Sequence, residues 1–237
     1  MSSLPGGTLV VDNASLKTPI EESVCSDSDL IQYFQPLIRN NANFVAGGCF
    51  KNYFSELLTK TSAPARDVDI FFRDKQQYDD TVDNFTRKYF KSYTFVSDTK
   101  NSTSFQQKST ISQESIILDL IKCNFGTPIE ILNGFDFTVC QYALFQTDNV
   151  YKIAYHPLTT SDISNKCLRI SEAYMLMLTS LSDCSQLARI VDKLFNRIVK
   201  YTRYGYKLDI SSKVILFDSI RRMDQNYPIT SVTETSY

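Results

Sequence analysis

The sequence predicts an α+β fold, a mixed sheet backed by helices and followed by a helical unit, in a chain of 237 residues. Three observations carry that prediction. Short apolar runs of strand character alternate with amphipathic stretches up to about residue 150. Beyond Tyr151 the pattern is mainly helical, with apolar stripes over 171–183, 186–203 and 211–223. Apolar residues make up 43% of the chain against 22% charged, which supports a buried core and excludes a wholly disordered chain.

The elements follow in order. Residues 1–26, rich in Ser, Thr, Pro and Gly, form an expected N-terminal arm that offers a surface for a protein partner, with Leu9-Val10-Val11 as a possible edge strand. From Ser26 the spacing of Leu30, Ile31, Phe34, Leu37 and Ile38 predicts a helix kinked by Pro36. Asn43–Ala46 reads as a strand and Gly47-Gly48 as a tight turn. Cys49–Lys60 then reads as a helix with Phe50, Phe54, Leu57 and Leu58 inward. After a linker over 61–65, Asp67–Phe72 alternates like a strand, and Tyr78, Val82, Phe85 and Tyr89 mark an amphipathic helix. Ser92–Ser97, Ser104–Lys108 and Ser115–Lys122 supply further strands. Thr127-Pro128-Ile129-Glu130 has the cap residue, first-turn proline and Glu of a capping box. The expected units are thus 27–150 and a helical 151–226, with a polar tail over 227–237.

Charge and rare residues narrow the function. With 25 Lys and Arg against 26 Asp and Glu the formal charge is −1, so no global positive field gathers nucleic acid. One histidine, His156, excludes multi-histidine metal sites; followed by Pro157, it reads as a surface or capped loop residue rather than a general base. The six cysteines lack any C-x-x-C pair, which points to free thiols in a reducing cytoplasm. The opening residues lack signal-peptide character, and no apolar run approaches the ~18 residues of a membrane helix.

Asp67 and Asp69, two apart on a strand, point to one face about 7 Å apart along the chain, while Val68 and Ile70 anchor the other. Such a pair suits Mg²⁺ or Mn²⁺, which bridge to substrate phosphates. Upstream, Gly47-Gly48 stands between a strand and a helix, where backbone N–H groups can face a phosphate without Cβ obstruction; an ordinary glycine turn is the plainer reading. The two features in succession are much more specific than either alone. Arg189, Lys193, Arg197 and Lys200 recur along one helix face, opposite Leu187, Ile190, Val191, Leu194 and Ile198. That stripe is either a solvated surface or a basic wall facing a triphosphate or an RNA 3′ end.

In these blocks the chain resembles nucleotidyltransferases of the DNA polymerase β superfamily, specifically the head and neck of bacterial-type (class II) poly(A) polymerases and CCA-adding enzymes. The matching stretches are Gly47–Asn52, Asp67-Val68-Asp69, Phe135–Leu144 and Arg197–Tyr206, in the family's order over roughly residues 42 to 210. The resemblance implies a nucleotidyltransferase head over 27–150 and a helical neck over 151–226. It also implies metal-dependent transfer of a nucleoside monophosphate from a nucleoside triphosphate (NTP), with ATP among the candidates, to an RNA 3′ end or another acceptor. Asp67 and Asp69 match the metal-binding pair, and Gly47 and Gly48 the phosphate-side glycines. Asp119, within the strand-like Ile116–Ile121, and Asp136 are the two candidates for a third carboxylate. Asp119 could equally lie on the solvent face of a strand edge. Lys51, Arg197 and Lys200 are the implied nucleotide-binding cations.

The departures bear on activity. Lys51 and Asn52 replace an arginine and an aspartate of the first block, and Gly134-Phe135 stand where two arginines precede the third. Lys193 and Leu194 hold the places of the Glu-Asp pair that reads the base in CCA-adding enzymes, so CCA addition is not expected. Two functions follow. One is an active minimal nucleotidyltransferase; the other is a protein that keeps the fold in a structural or binding role, in a phage particle or a host-interference system. Small head-and-neck sequences of this kind are often carried by phages, which would place the protein in a host cytoplasm or a virion. A D-x-D glycosyltransferase ranks last, because the glycine-helix and D-F-T blocks do not belong to one.

Overall fold

Asp27 caps the first helix: its Oδ1 accepts the Asp29 and Leu30 N–H groups at 3.1 and 2.9 Å. The computed structural model describes residues 20–59, 67–87, 92–107 and 116–226. The expected strand at Leu9–Val11, the linker over 61–65, Tyr89 and the tail over 227–237 lie outside the described residues. The chain opens with β1 (Glu21–Val24) and α1 (Ser28–Phe34), and at Pro36 the helix tightens into a 3-10 turn, Gln35–Leu37. There follow β2 (Asn43–Ala46), α2 (Gly48–Thr59), β3 (Asp67–Phe72), α3 (Lys75–Arg87), β4 (Tyr93–Asp98), β5 (Ser102–Gln107) and β6 (Ile117–Phe125). Thr127 and Glu130 complete the reciprocal capping box that starts α4 (Pro128–Asn133). A hairpin of β7 (Tyr142–Thr147) and β8 (Val150–Tyr155) precedes α5 (Thr159–Ser164), β9 (Cys167–Leu168), α6 (Glu172–Ser180), α7 (Cys184–Arg203), β10 (Lys207–Leu208) and α8 (Ile210–Asn226).

Eight strands form one mixed sheet in the order β1-β8-β7-β2-β3-β6-β5-β4. Its pairings are antiparallel except β3 with β6, which run parallel. Strand alternation divides the core. Val45, Val68, Ile70, Phe72, Leu118 and Leu120 pack under α1, α2 and α3, while Phe44, Ala46, Phe71 and Ala143 meet Ile131 and Leu132 of α4 on the opposite face. A further core, with Leu178, Leu187, Leu194, Tyr206 and Leu216, joins α5 to α8 and takes in Phe137 and Val139 from the stretch before β7. Phe137 also bridges to Ile170, and β9 pairs parallel with β10. The helical unit is thereby tied to the D-F-T segment.

Several expectations are corrected. Beyond Tyr151 the chain is not simply helical, since β8 runs to Tyr155 inside the sheet. The sheet also takes in Glu21–Val24, which fall within the stretch expected as an arm, so strands flank the expected 27–150 unit on both sides. Leu57 does not point inward; it is 57% exposed. Of the two readings of His156, the capped loop residue holds and the surface one does not. Its ring is buried, Nδ1 accepts the Leu158 N–H at 3.1 Å, and Nε2 meets Glu172 at 3.1 Å, so it pins the loop after β8 to the start of α6. Among the described residues no helix is long and apolar enough to cross a membrane.

Candidate functional site

The strand–turn–helix at Gly47 exists because β2 ends there against both neighbours and the chain must reverse. Gly47 takes φ +95°, a region costly for other residues, and donates its N–H to Tyr142 O at 3.0 Å. A Cβ on Gly47 would lie 3.4 Å from Asp69 Oδ2 and 3.6 Å from the Phe135 ring, so the turn touches the D-x-D strand. A Cβ on Gly48 would meet no atom within 4 Å, which leaves the N-terminus of α2 open in front.

The register builds the acidic part. Ala46 stands opposite Asp69 across β2 and β3, and on the other side Asp69 is the direct partner of Asp119 on β6. Parallel in-register residues on neighbouring strands face the same way, so Asp67, Asp69 and Asp119 share the face that α4 covers farther along the sheet. Asp119 therefore sits on a central strand, not a sheet edge. Ser104 on β5, opposite Asp119, donates its hydroxyl to Asp119 Oδ1 and fixes that carboxylate. Burial, then Asp119, then Asp67 push the Asp69 carboxyl up to about 7, while Arg197 and Lys200 act in the opposite direction. The carboxylates are neighbours without being closed into a cage: among the described residues no three His, Cys, Asp or Glu side chains are gathered tightly enough to hold a metal ion by themselves.

The other expected residues divide. Arg197 and Lys200 lie on the face of α7 whose field reaches Asp69. Arg197 is already committed: its Nε is 2.6 Å from Asp136 Oδ2, and its guanidinium donates to Cys140 Sγ at 3.7 Å. Asp136 is buried with that partner, and the carboxylates that act most on Asp69 are Asp119 and Asp67. Burial raises its pKa, and Arg197 followed by Lys193 opposes the rise. Lys200 is exposed. Lys51 is 8% exposed and stands over three tyrosine rings, 5.8 Å from the centroid of Tyr201, 4.9 Å from Tyr204 and 5.9 Å from Tyr206. Burial lowers its pKa, and Lys166 and Lys200 lower it further. Arg189 and Lys193 are exposed, and Lys193 donates to Tyr174 OH at 3.0 Å.

Sequence reasoning missed Ser104 and the tyrosines around Lys51. Ser104 follows from strand pairing and carries no local signal. The tyrosines were visible as Tyr201, Tyr204 and Tyr206 in the last matching block, but their target lies about 150 residues earlier in the chain.

A mixed sheet that sets Asp-x-Asp beside a third strand carboxylate, faces a glycine turn and is followed by a helical neck defines a nucleotidyltransferase-like fold. Solved structures agree. A CCA-adding enzyme in apo form matches with a TM-score of 0.52 at 14% identity, over 86% of this chain and 49% of that one. A complex of a CCA-adding enzyme with CTP matches at 0.51 and 14%, over 86% and 50%, and one with ATP at 0.50 and 14%, over 86% and 49%. The chain thus spans about half the length of the enzymes it matches. No curated protein matches the sequence. The family model of Gad2, the Gabija anti-defense 2 family protein, matches residues 20–166, well over half of the chain, and the protein belongs to that family.

Proposed function

We propose that the protein is a metal-dependent nucleotidyltransferase that moves a nucleoside monophosphate from an NTP to a hydroxyl on an RNA 3′ end or another acceptor, and that this transfer serves a phage in countering Gabija defence. The observation that carries the reading is the in-register placement of Asp69 beside Asp119, with Asp67 on the same strand and Gly47 against Asp69 Oδ2.

The donor set suits Mg²⁺ or Mn²⁺. Asp67, Asp69 and Asp119 gather negative charge on one face; after burial, Asp119 and Asp67 raise the Asp69 carboxyl to about 7, with Arg197 and Lys200 opposing them. Hard oxygen ligands of this kind, completed by water and phosphate oxygens, are what these cations take. Asp67, Asp69 and Asp119 would hold the cation, with Ser104 fixing the orientation of Asp119. Bound there, a divalent ion supplies charge neutralisation for the triphosphate and acidifies the acceptor hydroxyl.

The remaining work falls to the chain itself. The open N-terminus of α2 at Gly48 would take phosphate oxygens on its N–H groups. Lys200, exposed on α7 and acting on Asp69, would stabilise charge on the leaving pyrophosphate. Arg197 is a positioning residue, holding Asp136 and the D-F-T stretch against α7.

A second reading, a nucleotide-binding protein without transfer, is favoured by one observation: Arg197 and Lys51 are turned to internal partners, which thins the grip on a triphosphate. The test is to incubate the protein with Mg²⁺ or Mn²⁺, each labelled NTP in turn, and total RNA or lysate from cells carrying the defence system. Label should enter one class of macromolecule with the parent and not with Asp69→Asn. Binding of NTP without any labelled product would select the second reading, and absence of NTP binding would remove both.

A further inference from the structure

Tyr204 caps the C-terminus of α7 with its side chain 54% exposed. It follows Lys200 by four residues and Arg197 by seven, so it continues the face of α7 that acts on Asp69. Two groups contact the ring. Lys51 Nζ lies 4.9 Å from its centroid, and the ring of Tyr201 meets it edge-on with centroids 6.5 Å apart. More than half of the residue is nevertheless exposed, so ring surface stays open beside these two contacts.

That ring is held rather than loose. Lys51 belongs to α2, three residues after Gly48, and also stands over Tyr201 and Tyr206, both buried. Lys166 is 4.9 Å from the centroid of Tyr206 and donates to Ser55 Oγ at 3.3 Å, which closes the assembly from the far side. A flat aromatic surface is therefore fixed between α2 and α7, roughly 6 Å along the helix beyond Lys200 and about 10 Å beyond Arg197. A nucleotide with its phosphates at Gly48 and the carboxylates would extend its base away from them, and this end of α7 offers it an aromatic face.

We propose that the open face of Tyr204 is the stacking platform for the nucleobase of the incoming nucleoside triphosphate, an inference that rests on the nucleotidyl-transfer reading of the carboxylate site. Stacking accepts every base and rewards the larger ones. The α7 positions Lys193 and Leu194, about 15 Å back along the helix, add no reading of the base edge: Leu194 is fully buried, and Lys193 is bound to Tyr174. The site would therefore rank purine above pyrimidine nucleotides without choosing sharply within either class.

The test titrates ATP, CTP and inorganic triphosphate, each with Mg²⁺, into the parent, Tyr204→Ala and Tyr204→Phe. Replacement by Ala should weaken ATP by about 5- to 100-fold, weaken CTP less, and leave inorganic triphosphate unchanged. Replacement by Phe keeps the ring and should preserve all three affinities. Should the Ala variant fold poorly, a lowered affinity of Tyr204→Phe for ATP would itself count against stacking. Equal losses for ATP and inorganic triphosphate would overturn the proposal by making Tyr204 a support of the phosphate site. With a short single-stranded oligonucleotide titrated as a further ligand, a loss confined to it would overturn the proposal in favour of the acceptor strand. If the parent binds inorganic triphosphate but not ATP, the platform fails and the phosphate site stands; if it binds neither, the nucleotidyl-transfer reading falls and the platform with it.

Discussion

Replacing Asp69 by Asn should stabilise the metal-free protein, and the gain should grow with pH. The folded carboxyl titrates near 7 against an ordinary 3.8, because burial and the neighbouring Asp119 and Asp67 oppose its charge. A carboxyl with a raised pKa holds its proton in the folded state after the unfolded chain has released it. Stability from this group is therefore fully present below about pH 4 and is lost as pH rises through 7. Well above pH 7 the cost of ionising it approaches about 4 kcal/mol, a ceiling that relaxation of the site lowers. Between pH 5 and pH 8 the advantage of the neutral Asn should widen by about 2–3 kcal/mol. In a domain of this size that corresponds to roughly 5–10 °C in Tm. Thermal unfolding in EDTA at the two pH values measures it, and the same pair of melts with Mg²⁺ should shrink the difference, since a bound cation removes the repulsion. An Asn variant less stable than the parent at pH 8, or a difference independent of pH, would show that the folded protein does not disfavour the ionised Asp69 carboxylate.

The glycine turn separates strain from function. Gly47→Ala should cost about 1–2 kcal/mol in denaturant unfolding because its φ is +95°, whereas Gly48→Ala should change stability by no more than about 0.5 kcal/mol yet weaken triphosphate binding, since its methyl would stand in the open space before α2. Arg197→Met should destabilise by about 3 kcal/mol in the same assay, because it leaves the buried Asp136 unpaired, and Asp136→Asn added to it should recover part of the loss. NTP affinity should collapse in EDTA and return with Mg²⁺ or Mn²⁺ in calorimetric titration, because an uncompensated Asp67, Asp69 and Asp119 would repel the triphosphate; affinity independent of the divalent ion would place the nucleotide elsewhere.

Local chemistry was readable from the sequence wherever it decides the structure by itself. Asn43–Ala46 and Asp67–Phe72 occur as expected because apolar alternation and an adjoining glycine pair leave little choice, and Thr127-Pro128-Ile129-Glu130 closes its capping box within four residues. The hairpin of β7 and β8 escaped notice for two physical reasons. Tyr142–Phe145 are buried on both faces of the sheet and so show no alternation, and the turn uses Asp148 and Asn149 at φ 52° and 63° where a glycine would have announced it. The standing of Asp119 was undecided because it depends on strand order. The run Ile116–Ile121 looks alike at an edge or in the centre, and pairing with β3 and β5 decides it.

The carboxylates and the cations of the candidate site are held in place by different means. The carboxylates act through the strand register that also builds the core under α1 to α3, so Asp67, Asp69 and Asp119 keep their mutual placement wherever that core folds. Cations on long side chains have no such constraint and turn toward whatever partner lies within reach. Here Asp136 takes Arg197, and three tyrosines at the end of α7 take Lys51. Both partners belong to the junction between sheet and helices, so positive charge that could have faced a triphosphate helps hold the two units together. If a nucleotide binds as proposed, exposed Lys200, the open end of α2 and a divalent ion would carry its phosphates, with the aromatic face of Tyr204 supplying affinity that needs no charge. Such a site would depend more steeply on the metal than one lined with arginines, and would select its nucleotide by the size of the base more than by its edge.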